Sequence, residues 1–248
     1  MAVGYRPLLQ TQRDLYALPR DLSRFRAYLA TLRDEATGEM ALPLSAMNPM
    51  GKDHVPALLD AYLALGADDI GARAAAEAGA VSASEPGAVE ATLVVSDDLH
   101  GGWTNRWASE FGHRFECQAM ITRGWAVGIL WTSEPASADA ARRAVLTAIH
   151  RFAYVRAHGT PTTLRDMLAQ EGHVMALGED ATPRLDAEDL AYTREVIGPH
   201  LDATDRATQM ACCFGDACAR ALGYDPMGLS DRAGFALALA DYAAVRSR

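Results

Sequence analysis

The feature that most constrains this chain is an apolar run, Leu93-Val94-Val95, that gives way within two residues to Asp97 and Asp98. Branched side chains at this density read as a buried strand. The chain then continues through His100, Gly101, Gly102, Trp103, Asn105 and Arg106. Strand ends in open α/β sheets are where such proteins place their ligands and chemistry. The run therefore predicts both a buried strand over 91–97 and a functional site at its end.

Around this strand the pattern is mainly helical. Asp21 opens an amphipathic segment with Leu22, Phe25, Leu29 and Leu32 on one stripe. Helices are also expected after Asp53, after Asp68 and from about 104 to 114. A long one follows Ser133 to about Ala157, and another follows Thr160-Pro161. Segments 116–122 and 125–132 read as two strands of a hairpin, joined at Thr122-Arg123-Gly124. Short strands are candidates at 41–46 and 174–177. From about Asp186 the chain is expected to be all-helical, with Met210, Phe214, Ala217 and Ala221 on one face of one helix. The fold class that follows is α+β: a helix-rich single domain over 1–248, with a small mixed sheet, about nine helices and a helical C-terminal half. No stretch has the composition of a linker.

Charge and cysteine usage narrow the function classes. A net charge of −9 opposes nucleic acid or an anionic membrane surface as a partner. The absence of an 18-residue apolar run, together with a polar N-terminal stretch, makes cytoplasmic residence the expectation. Cys117, Cys212, Cys213 and Cys218 have no Cys-x-x-Cys spacing and are too clustered for a disulfide framework, so they read as buried thiols.

Lysine and asparagine usage links two short segments. Of the 23 basic residues only Lys52 is a lysine, and asparagine occurs only at Asn48 and Asn105. In a composition this rich in arginine and alanine, both types persist only in NPMGKDH (48–54) and HGGWTNRW (100–107). The first segment precedes a helix, where free N–H groups favour an anion. Lys52 with Gly51 and His54 could hold a phosphate or carboxylate there. At the strand end leading into the second, Asp97, Asp98 and His100 could move protons. Gly101 and Gly102 would let backbone approach a ligand, Trp103 would form an apolar wall, and Arg106 would clamp an acid. Asn48 and Asn105 would orient the ligand.

A single divalent metal is the candidate cofactor, with Asp97, His100 and His113 as its expected ligands. A rival account makes 97–106 a plain strand-to-helix turn, with Asp98 bracing it and Arg106 paired to a local acid. The leading expectation is a cytoplasmic enzyme that acts on a small anionic metabolite by acid/base or metal-assisted hydrolysis or elimination. Two alternatives stand beside it. One is a non-catalytic small-ligand-binding or sensor protein using the same pocket. The other is a structural protein, with a homodimer through its alanine-rich helices as the candidate assembly.

Overall fold

The computed structural model describes residues 1–33, 37–81, 87–99, 105–179 and 184–246. Among them are twelve α-helices and three strands. They divide into two compact units, Met1–Ser109 with Ala119–Phe152, and Glu110–Gln118 with Ala153–Arg248. The chain passes between the units three times, each inside a helix, at Ser109/Glu110, Gln118/Ala119 and Phe152/Ala153. That is why no linker composition marks the division. No helix among the described residues is long and apolar enough to cross a membrane.

The first unit contains β1 (Ala2–Tyr5), α1 (Leu9–Ala17), α2 (Leu22–Leu32), α3 (His54–Ala64), α4 (Ala67–Val81), β2 (Ala88–Ser96), the start of α5 (Arg106–Phe115), most of α6 (Gln118–Thr122), β3 (Trp125–Trp131) and most of α7 (Ala138–His158). The sheet order is β1-β2-β3 and both pairings are parallel. Strand β2 is therefore central, and it is buried without interruption from Ala91 through Asp97. Branched residues suit a strand flanked on both edges.

Strand β1 covers only the first half of β2, pairing Ala2 to Ala88 and Tyr5 to Ala91. Beyond Tyr5 one more backbone bond is made, and then side chains take over. Arg6 N–H donates to Ala91 O at 2.9 Å, and the Thr92 hydroxyl donates to Arg6 O at 2.7 Å. Gln12 of α1 then acts as a detached peptide group. Its Nε2 donates to Val95 O at 2.6 Å, and its Oε1 accepts from Val95 N–H at 2.9 Å. Gln12 is fully buried. Its two bonds satisfy backbone groups that would otherwise be buried without partners.

Several local expectations are corrected. The segment 116–122 is helical (α6), and β3 runs parallel to β2 instead of closing a hairpin. A parallel partner requires the chain to return to the start of β2, and α5 and α6 make that crossover. The sheet is thus parallel throughout, not mixed. No strand forms over 41–46, where turns bury Leu44 and Ala46; only Met40 makes an isolated bridge, to Arg33. The apolar stripe of α2 is only partly covered: Leu22 and Leu29 are exposed, Leu22 at 67%, while Phe25 and Leu32 are half-buried. The buried face instead carries Arg24, whose guanidinium donates to Leu18 O at 2.9 Å and Tyr16 O at 3.3 Å. Those carbonyls at the end of α1 need donors, and Tyr28 is buried beside Arg24.

The second unit comprises the rest of α5 and α7 together with α8 (Leu164–Leu177), α9 (Ala187–Ile197), a 3-10 turn (Gly198–His200), α10 (Arg206–Phe214), α11 (Asp216–Leu222) and α12 (Ala233–Arg246). Residues 174–177 are the last turn of α8, not a strand. The helix starts at a reciprocal cap between Thr163 and Asp166, and Val174 extends its apolar face. The expected single helix across 210–221 is two, broken at Gly215. This glycine has φ +82°, and a Cβ there would lie 2.1 Å from Ser230 O.

The unit's core stacks Phe115, Phe214 and Phe235 around buried ion pairs. Arg232 grips Glu110 with bonds of 2.9 and 2.5 Å. Arg114 donates to Glu110 at 2.9 Å and also bonds the fully buried Glu171. Cys212, Cys213 and Cys218 are buried here. Burial pushes the Cys212 and Cys218 thiols up to about 12 and Cys213 well above its ordinary value. They are inert packing thiols at neutral pH.

Candidate functional site

The site lies at the C-terminal end of β2, within the first unit. Asp97 is the first residue past the strand, and its side chain is 4% exposed. One carboxylate oxygen, Oδ1, is 2.7 Å from His54 Nε2 and also accepts from Thr132 Oγ1 at 3.1 Å and Leu99 N–H at 3.3 Å. The other, Oδ2, accepts from Asn48 Nδ2 at 3.1 Å. Burial pushes the Asp97 carboxyl upward. The bonds from His54, Leu99 N–H and Asn48 outweigh it and hold the carboxyl below its ordinary value. Asp97 is therefore a carboxylate at neutral pH.

The segment 48–54 folds so that two of its side chains reach this acid. Asn48 forms a turn on itself, with Oδ1 accepting from Met50 N–H at 3.1 Å and its carbonyl from Gly51 N–H at 3.0 Å. That carbonyl also accepts the hydroxyl of buried Tyr16. Burial and the charge of Asp97 raise the Tyr16 phenol above its ordinary value, so it remains a donor. Gly51 is required sterically, because a Cβ there would sit 2.8 Å from Val55 Cγ2. His54 is the first residue of α3 and is partly exposed, at 22% of its side chain. Asp53 makes no side-chain cap bond to this helix. Lys52 is exposed and gives its carbonyl to Val55 N–H at 3.0 Å.

Asp98, one residue on, has different surroundings. It accepts from Ser133 N–H at 2.8 Å, Ser133 Oγ at 2.7 Å and Thr132 Oγ1 at 3.0 Å. Arg106 donates to it at 3.0 Å and to Glu134 at 2.7 Å, and lies 4.2 Å over the Trp131 ring. These are the bonds the rival turn account expects of Asp98 and Arg106. Thr132 joins the two acids. It has one proton for both carboxylates and accepts Asp98 N–H at 3.0 Å.

Asn48 and His54, from the 48–54 segment, thus meet Asp97 at the strand end. Asn105 instead caps α5, its Oδ1 accepting from Ala108 N–H at 3.1 Å. His100, Gly101, Gly102 and Trp103 lie outside the described residues. His113 is on the part of α5 in the second unit. Among the described residues no three His, Cys, Asp or Glu side chains are grouped to hold a metal.

Sequence reasoning missed Thr132 and Ser133. They directly follow β3, and recognising β3 as a parallel neighbour of β2 would have pointed to them. No protein family, curated protein or solved structure matches the chain.

Proposed function

We propose that this chain is a cytoplasmic enzyme that acts on a small anionic metabolite by acid/base chemistry, in a hydrolysis or an elimination. The observation that carries this reading is the 2.7 Å bond between His54 Nε2 and Asp97 Oδ1 at the end of the central strand. An ionised carboxylate fixes the tautomer of a histidine it accepts from. With the proton on Nε2 directed at Asp97, the basic lone pair sits on Nδ1. That nitrogen takes a proton from the attacking water in hydrolysis, or from carbon in elimination, and returns it to the leaving group. Asp97 stabilises the imidazolium formed between the two transfers. Asn48, Thr132 and Leu99 N–H hold Asp97 ionised and oriented. Lys52, two residues before His54, supplies the positive charge that attracts an anionic substrate.

Assaying the wild type against carboxylate- and phosphate-bearing esters, amides and β-hydroxy acids, beside His54→Gln and Asp97→Asn, tests this. Turnover of one class is expected, with kcat/KM lower by about 10²–10⁴-fold in His54→Gln, the usual worth of a general base. Unchanged turnover in His54→Gln would remove the dyad from the mechanism. Binding of a panel member without turnover would instead make this a ligand-binding protein.

A further inference from the structure

The second unit contains a cavity of about 460 Å³ between α8, α9 and α12, within the range of small-molecule sites. Its walls are apolar, formed by Leu168, Ile197, Leu201, Leu237 and Val245. Small residues make the room: Ala169, Gly172 and Ala238 line the same space. Gly172 also lets α8 approach α12 closely, since a Cβ there would lie 2.5 Å from Ala238 O. Val245 is 72% exposed, so one wall offers apolar surface that an occupant would remove from water.

The charged lining residues are Arg165, Arg194 and Asp241. All three are more than half exposed, which puts them at the opening. Arg194 pairs with Asp241, and Arg165 reaches Asp202 at 3.1 Å. Exposed pairs of this kind are weak, so both guanidiniums can be recruited by a stronger acceptor. Asp202 and Asp241 each take up only part of one guanidinium's five N–H groups, so both arginines have donors to offer a further carboxylate.

We infer that this cavity binds a small apolar carboxylic acid. The hydrocarbon part lies among the leucines, and the carboxylate bonds Arg165 and Arg194 at the opening. Guanidinium forks suit a carboxylate and reject a cation. The inference uses no residue of the His54–Asp97 site.

Calorimetry on the full chain with decanoate below its micellar concentration, beside decan-1-ol and decyltrimethylammonium, tests it. Decanoate is expected to bind most tightly. The double variant Arg165→Gln/Arg194→Gln weakens decanoate by about 10-fold or more, the worth of a charge-assisted hydrogen bond, and leaves decan-1-ol unchanged. Ala169→Trp, at an exposed helical position lining the cavity, abolishes binding of both while the circular dichroism spectrum stays native. On the wild type, methyl NMR shifts at Ile197 and Val245 should follow decanoate. The inference fails if folded wild-type protein gives no binding, if Ala169→Trp binds normally, or if the shifts fall elsewhere. Decyltrimethylammonium binding as tightly as decanoate would overturn the carboxylate assignment.

Discussion

Each unit buries a carboxylate in a web of bonds, and the two webs are built from different partners. In the second unit Glu110 and Glu171 are held by Arg114 and Arg232, cations that keep their charge at any pH the protein meets. In the first, Asp97 is held by a histidine, an amide, a hydroxyl and a backbone N–H. Arginine partners fix a charge in place and leave no proton to exchange. A histidine partner has a second ring nitrogen through which a proton can be exchanged. The same contrast recurs one residue apart, because Asp98 is locked by Arg106 while Asp97 is not. Burial of an acid is thus no guide to chemistry until its partner is known.

The sharpest way to break this comparison is Arg114→Met. It removes the cation bonded to the fully buried Glu171, leaving that carboxylate the Gln170 amide at 2.9 Å, and weakens the hold on Glu110. A loss of about 3–5 kcal/mol is expected from urea denaturation, the usual result of removing one partner of a buried pair. The loss should be the same at pH 6 and pH 8; a value near zero would make the arginine web ornamental.

Gln12→Leu comes next, as an uncharged control. It leaves the N–H and C=O of Val95 buried without partners, at a cost of about 2–3 kcal/mol. The loss should not vary with pH.

The smallest effect, and the only pH-dependent one, is expected for Asp97→Asn, about 1–2 kcal/mol at neutral pH. The folded-state value of Asp97 lies below its unfolded value, so the unfolded chain binds the proton more readily. Its contribution is complete above the unfolded carboxyl value, about 4, and is lost as pH falls through the folded value. The gap between wild type and variant should therefore narrow on acidification in denaturation curves. A gap that widens would mean that Asp97 is not stabilised as a carboxylate.

How much of this was legible in the sequence follows from the range of the forces involved. The strand at 91–96 and the helical setting could be read because periodicity and branching are local. Residue usage tied 48–54 to 100–107, whose Asn105 caps α5, whereas Asn48 and His54 reach Asp97, which precedes that second segment. Strand β1 was missed because four residues, Ala-Val-Gly-Tyr, carry too little pattern to register. The hairpin at 116–132 was misread because Ile121 and the Arg123-Gly124 turn resemble one, and only the long-range parallel pairing with β2 decides against it. The burial of Arg24 on α2 could not be anticipated from the leucines of that helix, since the Tyr16 and Leu18 carbonyls it bonds belong to the neighbouring one.

Gln12 bears on how this chain survives in a crowded solution. A short first strand would leave the far half of β2 as an open template, to which a strand from another molecule could add. The side-chain amide occupies that seam at Val95 with the donor and acceptor an incoming backbone would use. One glutamine on a helix thus closes, at Val95, a seam that a backbone strand would otherwise fill.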